Sequence, residues 1–348
     1  MSFMTRVEQL KDKIKSELLS FKPTINVPYY NAQKLLNEIF ESNPAIMIYI
    51  SSLSYTGSLL GGIFKVTYQN TEIPLSEVAR AKTEIEIEDI LHNAIRSIEL
   101  QKFVIVNGSV DFQSVYVNFI TFYQGFYSNL LGIETQYKSL SNGNLICVCF
   151  RFKYRLGRVK LNMMETAVKD KIKSLNGVLF TSDMRPETKA YIAHNYLART
   201  VTYWLKKEAN PLEKSYMQSA YGALINRKCV CQGYAEAYKR ILNEQGIICE
   251  VICGKVRGST EHHAWNIVSL DGKEYYHIDV TWDSKGGGVK DNKYFGKSDT
   301  EMSADRIWTR RTNMICNGRR NILQEAKVQI AKNRSQYISK GIDKNYLE

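Results

Sequence analysis

No stretch of the 348-residue chain approaches the roughly 18 consecutive apolar residues of a membrane-crossing helix. The opening MSFMTRVEQLKDKIK lacks the apolar core of a secretory signal. Proline is scarce, at 6 residues, and glycine unremarkable at 21, which excludes collagen-like and low-complexity chains. Cysteine is sparse as well: seven residues, an odd number, too thinly spread for a disulfide-built exported scaffold. A reducing compartment follows as the default, the cytoplasm, with export by another route left open. Acidic residues are outnumbered, 35 against 47 Lys plus Arg, and the net charge of +12 favours contact with anionic surfaces without naming one. The surplus is accompanied by no zinc-finger spacing and no aromatic-interleaved RNA-binding motif, so no specific nucleic acid is expected. What is present, 44% hydrophobic and 24% charged residues, is globular. At roughly 100–200 residues per domain, the length predicts two domains.

The pattern of elements predicts an α+β protein. Residues 1–180 read as two diverged helix–hairpin–helix units. The first has a helix at Tyr30–Phe40, strands near Ile46–Tyr55 and Gly62–Gln69, and a helix near Leu75–Leu100. The second has a helix near Phe112–Leu131, strands near Ile133–Leu140 and Asn144–Tyr154, and a helix from about Val159, with Asn142–Gly143 as the hairpin turn. Residues 151–173 hold eight basic residues against two acidic ones, which reads as solvated strand and helix faces. Residues 181–300 form the next domain, opening on a helix in which His194 reads as a satisfied structural histidine. A basic, helical C-terminal extension covers 301–348. Cys147, Cys149, Cys249 and Cys253 lie in apolar runs and read as small buried strand residues. Cys316 stands alone.

Chemistry concentrates after Asn210–Pro211. KCVCQGYAEAYKRILNEQG breaks from a strand or loop into a helix, with Tyr234, Tyr238, Ile241 and Leu242 as its apolar stripe and Gly246 as its C-terminal cap. Cys231 therefore falls at the helix start, where free amides and the dipole favour a thiolate. Gly233, in the first turn, permits close approach of another backbone or a substrate. His262 and His263 open an apolar strand thirty-two residues on, Asp271–Gly272 turns the chain, and Asp279 ends the next strand. A nucleophile, a base and an orienting carboxylate are the three roles that thiol acyl transfer requires.

AYGALINRKCVCQGYAEAY followed by HHAWNIVSLDGKEYYHIDVTWD resembles the core of the transglutaminase-like superfamily of papain-type thiol enzymes, over about residues 185–300. The resemblance implies a helix bearing the cysteine, packed on an antiparallel sheet bearing the histidine and aspartate. Residue by residue, it implies Cys231 as nucleophile, His263 as general base and Asp279 as its orienter, in preference to Cys229, His262 and Asp283. It implies a protein or peptide substrate attacked at an amide carbonyl through a thioester, hydrolysis being slightly favoured over crosslinking to an amine, with no cofactor. The backbone N–H of Cys231 is one expected oxyanion donor, and Gln218 or Trp204 the second. The alternative is a catalytically silent module that kept the fold and binds peptide or polyanion.

Two further expectations concern these residues. Zinc could in principle draw on Cys229, Cys231, Cys249, Cys253, His262 and His263, but the single residue between Cys229 and Cys231 is not structural-site spacing, so no metal is expected. Cys229 reads as packing behind the site, with a redox role for it as the lesser reading. The triad that the resemblance implies requires His263 and Asp279 on one face of the hairpin. A two-residue Asp271–Gly272 turn would separate them. A three-residue loop with Gly272 left-handed would close on Ser269–Lys273 and set His263 across from Asp279, bonded through Nδ1.

Overall fold

The computed structural model describes residues 3–28, 31–58, 61–116, 129–139, 145–205, 208–260, 262–284, 291–308 and 314–348. The chain divides into two compact units, Met1–Tyr116 with Leu131–Lys153, and Val117–Leu130 with Tyr154–Glu348.

The first unit contains α1 (Phe3–Leu19), β1 (Thr24–Val27), α2 (Ala32–Ser42), a hairpin of β2 (Ile50–Ser58) and β3 (Gly61–Tyr68), then β4 (Ala79–Ala81), α3 (Glu84–Arg96), β5 (Gln101–Asn107), β6 (Leu130–Ser139) and β7 (Leu145–Tyr154). The strands form two sheets, ordered β1-β3-β2 and β4-β5-β7-β6. β2 pairs antiparallel with β3 and β6 lies beside β7, but the order of helices around them is not the expected helix–hairpin–helix repeat. Residues Pro44–Tyr49 are a fully buried 3-10 turn rather than the start of a strand, consistent with proline at the first position. The helix expected at Leu75–Leu100 spans only Glu84–Arg96, because Thr83 caps it by accepting from the Glu86 amide at 3.3 Å. β5 then enters the second sheet beside β7. The expected turn at Asn142–Gly143 and most of the Phe112–Leu131 helix lie outside the described residues.

The longer segment of the second unit runs from Tyr154, so the helix placed at the end of the first domain, α4 (Arg158–Leu179), belongs here. It continues through α5 (Pro186–Thr200), β8 (Thr202–Tyr203), α6 (Pro211–Met217), α7 (Ala220–Leu224), β9 (Lys228–Cys229) and α8 (Cys231–Glu244). β10 (Ile248–Val256), β11 (His262–Ser269), β12 (Tyr275–Ile278), α9 (Val280–Asp283), β13 (Phe295–Lys297), α10 (Asp299–Met302), β14 (Arg306–Trp308) and α11 (Ile322–Ser339) complete it. Five strands make one sheet in the order β13-β12-β11-β10-β14. The residues after 300 are no appendage. β14 extends the sheet at the β10 edge, and Ile322, Ala326, Ile330 and Tyr337 of α11 lie in the same apolar core as α4, α5 and α8. Those four residues form a stripe at helical spacing, and burying it is what fixes the segment. None of the described helices is long and apolar enough to cross a membrane.

Candidate active site

The α8 helix is anchored before any chemistry is asked of it. Tyr234 donates its hydroxyl to the Val201 carbonyl at 2.6 Å, and Tyr238 donates to Ala190 at 3.0 Å, tying the stripe to α5 and its end. Val230 is the N-cap, so Cys231 is the first helical residue, as expected. It is half-buried, whereas Cys229 is fully buried and its thiol is pushed well above the ordinary range by burial. Gly233 serves Cys229: a Cβ there would lie 2.6 Å from the Cys229 Cβ and 2.9 Å from the Ser219 carbonyl. The glycine thus admits the strand leading to the nucleophile candidate, not a substrate.

The strands bring in the partners. Asn266, buried on β11, donates through Nδ2 to the Ala235 carbonyl of α8 at 2.9 Å, joining the histidine strand to the cysteine helix. β11 pairs with β12 in the register Ser269–Tyr275 to Asn266–Ile278. The hairpin therefore closes on Ser269–Tyr275, over a loop of Leu270–Glu274, and not on Ser269–Lys273. Gly272 is left-handed as expected, at φ +77°. Asp271 explains the longer loop: its Oδ1 accepts from the Lys273 amide at 2.8 Å and the Glu274 amide at 2.9 Å, drawing both away from the ladder. This register differs by two residues from the expected one, and side chains alternate with period two, so His263 and Asp279 keep a common face.

Asp279 lies just beyond β12 as the N-cap of α9, its Oδ1 accepting from the Trp282 amide at 3.2 Å. Its Oδ2 lies 2.7 Å from His263 Nε2. The bond runs through Nε2 and not Nδ1, which corrects the expectation. An ionised carboxylate can only accept, so Nε2 carries the proton and Nδ1 is left for the Cys231 sulfur, with which the imidazole also interacts. Asp279 is 0% exposed and His263 7%. Burial pushes Asp279 up, but the charges and hydrogen bonds of His263 and Arg306 outweigh it and hold the carboxyl below its usual range. Burial pulls His263 down, but Asp279, with help from Cys231, raises it to about 9.

Of the groups that surround this pair, Arg306 carried no signal in the sequence. Arg306, 1% exposed, donates through Nη2 to Asp279 Oδ2 at 3.1 Å. One arginine in the stretch read as an extension is not a motif. Trp265 stacks on His263 with centroids 5.7 Å apart and planes at 19°, and Trp282 meets the same ring edge-on at 6.2 Å. Trp265 Nε1 donates to His277 Nδ1 at 3.0 Å, and His277 Nε2 in turn lies 2.8 Å from Asp299 Oδ1.

Among the described residues, His277, Asp299 and Cys316 are the one group of three metal-capable side chains with ligand atoms within 4.8 Å. It shares no residue with the set considered from sequence. The indole can only donate to Nδ1, so Nε2 must carry the proton given to Asp299, and no lone pair there faces an ion. Burial and Asp299 also push the Cys316 thiol well above its ordinary range, against the thiolate a metal needs.

The remaining candidates are placed as follows. Asp283 accepts from the Tyr294 amide and lies 3.1 Å from His194 Nε2, both side chains fully buried, a structural pair away from His263. Gln218 accepts through Oε1 from Arg155 at 3.3 Å. Trp204 donates its amide to the Cys229 carbonyl at 2.9 Å, beside the strand that leads to Cys231, and its indole Nε1 is buried with no hydrogen-bond partner.

Residues 173–280 match the family model of the transglutaminase-like superfamily, a span that contains Cys231, His263 and Asp279. No curated protein matches the sequence. Among solved structures, the chain is similar to a candidate cysteine protease of Cytophaga hutchinsonii (14% identity, 46% of this chain and 69% of that one, TM-score 0.27). It is similar also to a TGase (17% identity, 62% of each chain, TM-score 0.29). A third is a candidate protease of Parabacteroides distasonis (11% identity, 68% of this chain and 52% of that one, TM-score 0.25). The chain thus spans less than two thirds of the length of the last two.

Proposed function

We propose that the second unit is a thiol enzyme that acts on amide or peptide carbonyls through a thioester on Cys231. The observation that carries this reading is the buried His263 Nε2–Asp279 Oδ2 contact of 2.7 Å, in an imidazole that also interacts with Cys231, the first residue of its helix. Cys231 transfers its proton to His263, and the thiolate attacks the carbonyl carbon. The oxyanion forms beside the free amides of the α8 start. The unpartnered Trp204 indole is the second donor in this reading, in preference to Gln218, whose Oε1 accepts from Arg155. The imidazolium gives its proton from Nδ1 to the departing amine as the C–N bond breaks, leaving the acyl thioester and neutral His263. His263 then takes a proton from water, or from an incoming amine, as that nucleophile displaces the sulfur. Water yields an acid and a free thiol, and an amine yields a new amide. We favour water slightly. Cys231 is half-buried rather than sealed, which supports the enzymic reading over a silent module.

The test is iodoacetamide alkylation of Cys231 across pH, mapped by mass, beside acid-quenched intact-mass detection of an acyl adduct on Cys231 from a peptide-amide library. Alkylation persisting well below the roughly 8.5 of an ordinary thiol, with an adduct lost in Cys231→Ala, is expected. An ordinary thiol profile and no adduct would overturn the proposal. Chasing the adduct with water or with a lysine-like amine separates hydrolysis from transfer.

A further inference from the structure

Arg306 sits on β14, opposite Val256 of β10, and reaches the carboxylate that orients His263. Its guanidinium is fixed on several sides. Nη2 donates to Asp279 Oδ2 at 3.1 Å, and Nη1 lies 3.0 Å from Asp305 Oδ1. The Trp282 ring covers it at 4.2 Å and the Tyr294 ring at 4.7 Å. Asp305 is itself held, because Tyr294 donates its hydroxyl to Asp305 Oδ2 at 2.5 Å. A planar fork between two rings, hydrogen-bonded to one carboxylate and ion-paired with a second, has little freedom left. Asp279 Oδ2 is shared by His263 and Arg306, while Oδ1 takes the Trp282 amide. All three donors therefore come from different places, and together they leave the carboxylate one orientation.

We infer that Arg306 is a positioning residue of the thiol site, holding Asp279 in the one rotamer that presents Oδ2 to His263. This rests on the reading of Cys231 and His263 as a thiol–imidazole pair. Without the fork, the Asp279 side chain is restrained only by the Trp282 amide and the histidine it is meant to orient. His263 then loses its fixed tautomer and its alignment with the sulfur. A lysine would keep the charge, but one ammonium cannot bond Asp279 and Asp305 in the same plane or stack between Trp282 and Tyr294.

The experiment compares mass-mapped iodoacetamide alkylation of Cys231 between pH 5 and 10 in the full-length chain and in Arg306→Met and Arg306→Lys, each checked for folding by circular dichroism. The expected result is a roughly tenfold loss of Cys231 alkylation at pH 6 in Arg306→Met, with the profile displaced toward alkaline pH by about one unit, and a partial recovery in Arg306→Lys. A folded Arg306→Met with the unaltered profile would overturn the inference. If Arg306→Met does not fold, Arg306→Lys decides: a displaced profile supports the positioning role and an unaltered one removes it. Failure of the underlying reading looks different, since the unmutated chain itself would then alkylate as an ordinary thiol.

Discussion

Replacing Asp279 by Asn tests the centre of the site, because it removes the charge while keeping the shape. His263 moves from its ordinary 6.5 to about 9 in the folded chain. That rise corresponds to about 3 kcal/mol of preferential stabilisation of the imidazolium. The His263 side chain is only 8% exposed and Asp279 is 0% exposed, so solvent screening takes little of it. The sign follows from linkage. A folded-state value above the unfolded one contributes its full stability below pH 6.5, and that stability is lost as pH rises through about 9. The carboxylate and imidazole form one pair, and the energy is counted once. In Asp279→Asn the contribution disappears, burial alone then acts on His263, and Arg306 keeps its charge with no carboxylate at Nη2. The substitution should cost most at pH 6, on the order of 3–5 kcal/mol for a broken buried pair. By pH 9.5 the difference should shrink by about 3 kcal/mol. Urea unfolding followed by near-ultraviolet circular dichroism at pH 6, 7.5 and 9.5 measures the difference. Titration of isotope-labelled histidine Cε1, assigned with His263→Gln, measures the imidazole itself. A penalty equal at pH 6 and 9.5, or a His263 that titrates near 6.5 in the unmutated chain, would refute the reasoning.

Three further substitutions follow from particular contacts. Cys231→Ala should abolish acid-side alkylation, whereas Cys229→Ala should leave it and cost about 1–3 kcal/mol of stability as a buried truncation; equal loss in both would reverse the choice of nucleophile. Gly222→Ala should lower the melting temperature sharply, by about 2 kcal/mol or more in stability. The reason is that its Cβ would lie 2.1 Å from the Tyr216 carbonyl oxygen, which is backbone and cannot step aside; a melting temperature within a degree of the original would contradict this. Gly272→Val should cost about 1–2 kcal/mol through its positive φ, with open space around the new side chain. Because Asp271 organises that loop independently, Cys231 alkylation should survive, and its loss would mean the loop sets the register after all.

The sequence alone carried the local facts. Helical spacing and the CQGYA start put Cys231 at the first position of α8, because a helix begins where its apolar stripe and its free amides begin. Alternation around HHAWN and YYHID left two registers open, and the chemistry of the triad chose the one with His263 and Asp279 on one face; that choice survived a two-residue change of register since parity decides the face. Turn chemistry announced Gly272. Local pattern could not say that Asp271 would bind two amides and lengthen the loop, nor that Asp279 would end its strand as a helix cap. It could not choose the imidazole nitrogen, which depends on the direction from which the carboxylate arrives. Arg306, Cys316 and the Trp265–His277–Asp299 chain were decided only by tertiary structure. They join segments 12 to 39 residues apart in sequence, and no spacing rule links such segments until the sheet is assembled. The same holds for the residues after 300: their apolar stripe was visible as a helix, but only the α4, α5 and α8 core shows what that stripe covers.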